Sequence, residues 1–546
     1  MYKRLLQVMN KTISNFILAI TIGLILVNCA NKGSPQGGEK DIDPPVIVNT
    51  TPKNYSTNFK GNEIKIYFDE FVKIKDLQKQ LIISPPMNLQ PEITPLGSAS
   101  KYITIKIFDT LQPNSTYAFN FGNSIQDNNE GNPYPYYRYV LSTGDYIDSL
   151  SVKGQIIDAT KRQPDTFVSV MLYEVDSTYT DSIIFKEAPK YITNTLDSLT
   201  TFSIDNVKAG KYRLIALKDE NVDNKFQQKI DQIGFYEDFI TLPTDSTYKI
   251  KLFKENLDFK AIRPRQLVGN KIDFPYEGDY KNMRITLKSD VPKNFESRIT
   301  KDAKTDTLYY WYLPKKLELD SLMFNVSNKT YNKDFTAKIK DKKLDSLIIN
   351  ANPSGNIDYE EPFYISGNVP FQAIDLSKIT IINNDSLKID FKSKFDTISN
   401  TLAINFDKTE NNSYYIQVLP EAITGFFGTK NDTLNYSLKT SAKSSYSRVK
   451  VNIANAVYPI IVQLTNEKGD EVYYEKYSTK KEPLEFLNIK PNKYFYRIIY
   501  DTNKNKKYDT GNYLKKIQPE RVSHFKTEDP YRADWSYHEN FTLISK

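Results

Sequence analysis

Two features of this sequence have the residue types and spacing for chemistry: a run of alternating oxygen donors and a single cysteine. In the first, Asp219-x-Asn221-x-Asp223-x-Lys225, followed by Asp231, places oxygen-bearing side chains at every second position. In a tight loop such donors can converge on a hard cation, which is why calcium loops open with this alternation. Asn224, however, stands where the sharp turn asks for glycine, and no glutamate closes the loop. The same residues also build a solvated, Asx-rich turn after a strand. Two readings therefore stand side by side: Asp219, Asn221, Asp223 and Asp231 as calcium ligands, or as turn formers. A second run, Asp501-x-Asn503-x-Asn505-x-Lys507-x-Asp509, has two carboxylates with Lys504, Lys506 and Lys507 interleaved. Less negative charge makes a weaker cation site, so the recurrence reads as shared loop geometry more than shared function.

Catalysis finds little material. The 546 residues include two histidines, His524 and His538, and one cysteine, Cys29. No disulfide can form within one chain, and no zinc site of several cysteines is available. Both histidines lie near the C-terminus beside aromatic residues and read as packing groups, which removes the usual general bases. The chain contains no Gly-x-Ser-x-Gly elbow, no His-Glu-x-x-His and no phosphate-binding Gly-x-x-x-x-Gly-Lys-Ser/Thr loop. A non-enzyme is expected, with a carboxylate pair acting on glycans as the remaining catalytic alternative. The net charge of +7 comes from 73 basic and 66 acidic side chains dispersed among one another. Without an arginine-rich face, nucleic acid is not an expected partner.

The cysteine has a context of its own. Lys3, Arg4 and Lys11 precede an apolar run from Phe16 to Val27, too short for a comfortable membrane span and suited to the core of a signal peptide. The run ends in Leu26-Val27-Asn28-Cys29. This resembles a bacterial lipoprotein signal, which implies cleavage after residue 28 and lipidation of Cys29 as the mature N-terminus. Residues 29–43, rich in Gly and Pro up to Pro44-Pro45, then form a flexible tether. Ala30, where an Asp would mark inner-membrane retention, favours by the same resemblance an outer-membrane lipoprotein of Bacteroidota. Its periplasmic or cell-surface face stays open, since the first acids, Glu39, Asp41 and Asp43, lie well downstream. Removing the leader leaves 70 basic against 66 acidic side chains, so the mature protein is nearly balanced.

The elements that must carry these loops are strands. Apolar and polar residues alternate in Glu63–Phe68, Tyr102–Phe108, Tyr117–Phe121, Lys211–Leu217 and Leu387–Phe391, with Pro, Asn, Asp or Gly between the segments. Few stretches sustain a helical period; residues 72–80 are one candidate for a short turn or helix. The fold class is all-β, a tandem of antiparallel β-sandwiches. Residues 44–144 carry Thr51-Pro52-Lys53-Asn54, Ile66-Tyr67-Phe68-Asp69-Glu70 and Gln112-Pro113-Asn114-Ser115-Thr116-Tyr117. Together they resemble an SbsA-type (Big_5) bacterial Ig-like domain, a module that commonly serves as spacer or adhesive unit. A second Ig-like copy is placed at 351–443, because Asn412-Ser413-Tyr414-Tyr415 through Ala422-Ile423 overlays Asn114-Ser115-Thr116-Tyr117 through Ser124-Ile125 without a gap, with Thr440 opposite Thr143. Asn206–Asp219 likewise overlays Asn488–Asp501. Both resemble transthyretin-like or carboxypeptidase-regulatory-like sandwiches, placed at 149–253 and 446–546. Residues 254–350 form a further β-rich domain without an assignment.

Twelve Asp-(Ser/Thr) triplets ending in an aliphatic residue or Thr are scattered along the chain, where composition would give on the order of two or three. They resemble the O-glycosylation acceptor of Bacteroidota, which makes Ser149, Ser198 and Ser346 candidate glycan sites; the same dipeptide also ends turns before strands. The expected function is a non-catalytic lipoprotein that binds or scaffolds another outer-membrane protein. A carbohydrate- or cell-wall-binding surface protein is the alternative.

Overall fold

A computed structural model describes residues 41–196 and 200–544. Among them, helix is confined to one α-turn, Leu77–Gln80, and three 3-10 turns. Everything else that is regular is strand, because alternating segments can bury one face only by stacking in sheets. In the twelve-residue strand Glu63–Ile74, for example, Ile64, Ile66 and Phe68 point inward while Glu63 and Asp69 face water. Leu387–Phe391 departs from its alternation. It follows the turn at Asn383-Asn384-Asp385-Ser386 as irregular chain, Leu387 is exposed, and the strand begins only at Phe391.

The sheets group around five cores. The first holds Ile64, Ile66, Phe68, Ile103, Ile105, Phe119 and Tyr139. The second holds Val152, Ile156, Val170, Leu172, Leu214 and Ile250. The third, between Lys260 and Ile339, packs Ile272, Phe274, Tyr310, Phe324 and Val326 between two sheets, so the stretch without a sequence assignment is also a sandwich. The fourth centres on Phe363, Ile365, Ile381, Ile404 and Ile416, and the fifth on Val451, Val462, Leu464, Tyr496 and Ile498.

The second and fifth sandwiches share a topology that is not purely antiparallel. In each, the unit's first strand is the centre of a three-stranded sheet, with an antiparallel neighbour on one side and the unit's last strand, parallel, on the other. Thr201–Val207, Leu150–Asp158 and Thr247–Leu252 form one such sheet; Leu484–Ile489, Ser447–Ala454 and Ser536–Thr542 form the other. The repeated turn is also built alike. Asn206 and Asn488 both take positive φ, and the hydroxyls of Tyr212 and Tyr494 donate to the carbonyls of Lys208 and Lys490.

For the Ig-like pair the structure shifts the sequence overlay by one residue. The Tyr117 hydroxyl accepts from the Gln112 amide, and its counterpart is Tyr414, which accepts from Thr409; Tyr415 takes no part in this bond. Thr143 and Thr440 each donate through Oγ1 to those same turns, at the carbonyls of Gln112 and Thr409. The gapless overlay fails because a one-residue slip sends a side chain to the opposite face of a strand: Tyr117 and Tyr414 are 3% and 1% exposed, whereas Tyr415 is 48% exposed.

Specific contacts tie the units together. Arg138 of the first bridges Asp205 and Asn206 of the second. Lys229 pairs with Glu277 at 2.9 Å between second and third. Trp311 of the third packs with Val369 and Phe426 of the fourth, and its ring lies 6.0 Å from that of Phe427. Asp358 of the fourth takes the Tyr446 hydroxyl at 3.0 Å and the Lys490 ammonium at 2.7 Å from the fifth. The fifth unit then returns to the second, where Arg497 donates to the Thr160 carbonyl at 3.0 Å and Arg162 pairs with Glu467 at 2.8 Å.

Candidate functional site

The two Asp/Asn loops leave homologous strands, Gly210–Lys218 and Phe495–Tyr500, and are built to one plan. In the first, Asp219 accepts the amides of Asn221, Val222 and Asn224. Asp231, fully buried, accepts those of Glu220 at 3.1 Å and Gln227 at 2.6 Å. Asn221 donates to the Gln227 side chain, which donates in turn to Asp223. In the second, Asp501, also fully buried, accepts the amides of Asn505 and Lys506. Glu520 takes the part of Asp231, accepting the amides of Thr502 and Asp509, while Asp509 receives the amides of Asn503 and Asn505 side chains. Val222 and Asn224, and in the copy Lys504 and Lys506, adopt positive φ, the strained conformation that the Asp-to-amide bonds hold in place.

These bonds account for the carboxylates. Burial pushes the Asp219 and Asp231 carboxyls above their ordinary range, partly offset by the amides they accept, and Asp223 adds to the upward push on both. The four sequence-chosen residues share one loop, yet the carboxylates of Asp219, Asp223 and Asp231 face loop amides and the Gln227 side chain, and Asn221 donates to Gln227. Among the described residues no group of three or more His, Cys, Asp or Glu side chains is placed to hold a metal. As folded, these carboxylates serve a turn that satisfies its own backbone. Sequence reasoning missed Glu520, because eleven positions separate it from Asp509 where four separate Asp231 from Gln227. It also missed Gln227, whose amide side chain carries no motif signal.

Of the other sequence-chosen positions, Ser149 and Ser346 are exposed in the chain just ahead of strands Leu150–Asp158 and Ile349–Asn352. Ser198 and Cys29 lie outside the described residues. His524 sits on Val522–Lys526 opposite Arg497. Burial first, then the positive charges of Arg497 and Arg162, hold it down to about 4. Between pH 6.5 and 4 the folded chain therefore binds fewer protons at this group than the unfolded chain, and stability falls as pH drops through that window. His524→Phe is expected to flatten that part of the melting-temperature profile. An unchanged acid limb would refute the assignment.

Comparison with known proteins bears directly on the first sandwich. Residues 41–143 match the bacterial Ig-like domain family. That match bears out the resemblance drawn for residues 44–144. No curated protein matches the sequence. Among solved structures, domains 1–6 of the surface layer protein SbsC are 10% identical, over 89% of this chain and 67% of that one, with a TM-score of 0.14. The titin fragment I67–I69 is 11% identical over 52% and 99%, with a TM-score of 0.12. A Bacteroides ovatus protein of a mixed-linkage glucan utilization locus, SGBP-B, solved with a mixed-linkage heptasaccharide, is 12% identical over 62% and 87%, with a TM-score of 0.17. At these values none of the three bears on what this chain binds.

Proposed function

We propose that this protein is a non-catalytic outer-membrane lipoprotein, tethered through Cys29, whose β-sandwiches serve as a binding scaffold for another outer-membrane protein. The observation that carries this reading is the set of specific junctions between successive sandwiches. Trp311 with Phe426 and Phe427, and Asp358 with Tyr446 and Lys490, are contacts suited to holding surfaces at fixed spacing. Sandwiches joined by such contacts present a defined geometry to a partner, whereas units on free linkers would not. Affinity isolation from native membranes in mild detergent is the test. A single outer-membrane β-barrel recovered in near-equimolar amount is expected. A monodisperse, partner-free lipoprotein would contradict the reading, and binding on a glycan array would favour the carbohydrate alternative.

Glycosylation belongs to the same envelope reading. Ser149 and Ser346 are exposed and open to a transferase, whereas Thr307, in an equivalent Asp306-Thr307-Leu308 triplet, is buried in strand Thr307–Leu313. Peptide mass spectrometry of protein from its native cells should find hexose-sized additions at Ser149 or Ser346 and none at Thr307. Unmodified peptides at both serines would end the proposal.

A further inference from the structure

Tyr513 lies in a loop, yet it is completely buried. The core that buries it belongs to another sandwich: Met171, Ile215, Ile233, Phe235 and Phe253 of the second unit, 260 or more residues earlier in the chain. The loop is the Asp501 loop already described, lengthened by seven residues between Asp509 and Glu520 relative to the stretch between Gln227 and Asp231 in the other copy. The network around Asp501 and Glu520 follows the plan of that around Asp219 and Asp231, so the extra residues leave the loop's base in place and project from it.

We propose that this lengthened stretch, residues 511–519 with the seven added positions among them, is a clasp that closes the second, third, fourth and fifth sandwiches into a ring. Contacts at both ends and the middle of it reach the second sandwich or the connection that leaves it. The Thr510 hydroxyl, at its base, donates to the Lys254 carbonyl at 2.6 Å, and the Tyr513 amide donates to the buried Glu255 carboxylate. The Gln518 side chain donates through Nε2 to the Phe235 carbonyl at 3.0 Å, and the Lys251 ammonium donates to the Pro519 carbonyl at 3.5 Å. The Tyr513 ring stands edge-on to Phe235 at 5.4 Å, and its hydroxyl lies 3.3 Å from that of Tyr179. Lys516 pairs with Asp181 at 2.6 Å. Gly511 is there for space, not for a special φ: a Cβ on it would fall 2.7 Å from the Phe253 ring and 2.7 Å from the Ile517 carbonyl oxygen.

The two homologous sandwiches thus form an unequal pair. The first copy keeps the short loop and supplies the apolar face; the second carries the insertion that covers it. The covering is apolar and hydrogen-bonded at once: Glu255, which also accepts from Gln228, takes the buried Tyr513 amide when the ring is closed. Opening would exchange that bond for water and expose Phe235 and Phe253. Other contacts cross the same junction: Arg497 donates to the Thr160 carbonyl, Arg162 pairs with Glu467 and lies over the Phe495 ring, and Tyr508 packs against the same apolar cluster. Among them the insertion supplies the fully buried plug, Tyr513.

Small-angle scattering of the mature chain carrying Cys29→Ala tests the clasp. Gly511→Val, which drives a side chain into Phe253, should raise the radius of gyration and the maximum dimension while the strand signal in circular dichroism is retained. If Gly511→Val does not fold, Tyr513→Ala combined with Lys516→Glu removes the plug and repels Asp181 without adding bulk. That variant should show the same expansion. Unchanged scattering in the folded variant would overturn the proposal, because the ring would then be held by other contacts.

Discussion

Cys29→Ala is expected to move the protein from the membrane pellet to the soluble fraction and to abolish incorporation of labelled palmitate. The effect should be nearly complete, because the size of the anchoring energy leaves no middle ground. Each buried methylene contributes about 0.8 kcal/mol, one chain alone gives only reversible attachment, and two or more hold a protein firmly. A lipoprotein cysteine carrying several chains lies in the second regime, and the variant, with none, lies below the first. Among the described residues no helix is long and apolar enough to cross a membrane. The folded part also contains no second cysteine, so the label cannot move to another thiol. A variant that stays firmly bound and labelled would remove the lipoprotein reading.

The second large effect belongs to the first Asp/Asn loop. Asp231→Ala removes the acceptor of two amides, Glu220 and Gln227, at a fully buried position. Hydrogen bonds to a charged acceptor contribute about 1.5–3 kcal/mol each, and orphaned buried amides add their own desolvation cost. The loss should reach about 3 kcal/mol or more, which lowers the transition of a sandwich of this size by more than about 10 °C. Asp231→Asn keeps one acceptor oxygen and should lose less than half of that. Differential scanning calorimetry reads both, and an alanine variant within a degree or two of the parent would show that the loop does not depend on this carboxylate. Calcium enters through the same measurement. If the carboxylates serve amides, millimolar calcium leaves the parent transition where it is. A calcium-dependent rise that Asp231→Ala abolishes would instead identify Asp219, Asn221, Asp223 and Asp231 as ligands.

Much of the fold was legible because it rests on local alternation. Strands Thr116–Asn120 and Gly210–Lys218 fall where period-two patterns put them, and the short helix Leu77–Gln80 falls within residues 72–80, a stretch that suggested one. The overlay of Asn206–Asp219 on Asn488–Asp501 held in three dimensions down to the positive φ of paired residues and the Tyr212 and Tyr494 hydrogen bonds. It held because a turn with a strained residue and a buried tyrosine tolerates no slip. The Ig-like overlay slipped by one at Tyr414 because the sequence places two tyrosines in succession, and only burial tells which one faces the core. Residues 254–350 had the same alternation but no turn with a recognisable partner elsewhere in the chain.

The site was less legible. Spacing alone brought Asp219, Asn221, Asp223 and Asp231 into one loop. It could not show that their oxygens would be turned toward amides, because the same Asx chemistry serves a cation and a backbone. Glu520 escaped because an insertion separates it from the residues it serves, and Tyr513 because burial by a distant sandwich leaves no mark on local sequence. Long-range contacts of this kind are what the strands are folded to create.

Pulsed dipolar spectroscopy between spin labels on two sandwiches is the most direct measurement of the central claim, that the units form one fixed scaffold. Since Cys29 is the sole cysteine, the Cys29→Ala chain with Lys249→Cys and Lys392→Cys carries labels only at exposed strand positions of the second and fourth units. A fixed scaffold predicts one narrow distance distribution, unchanged by added viscogen. A broad distribution spanning tens of ångströms would mean sandwiches moving freely on linkers, and would contradict the account.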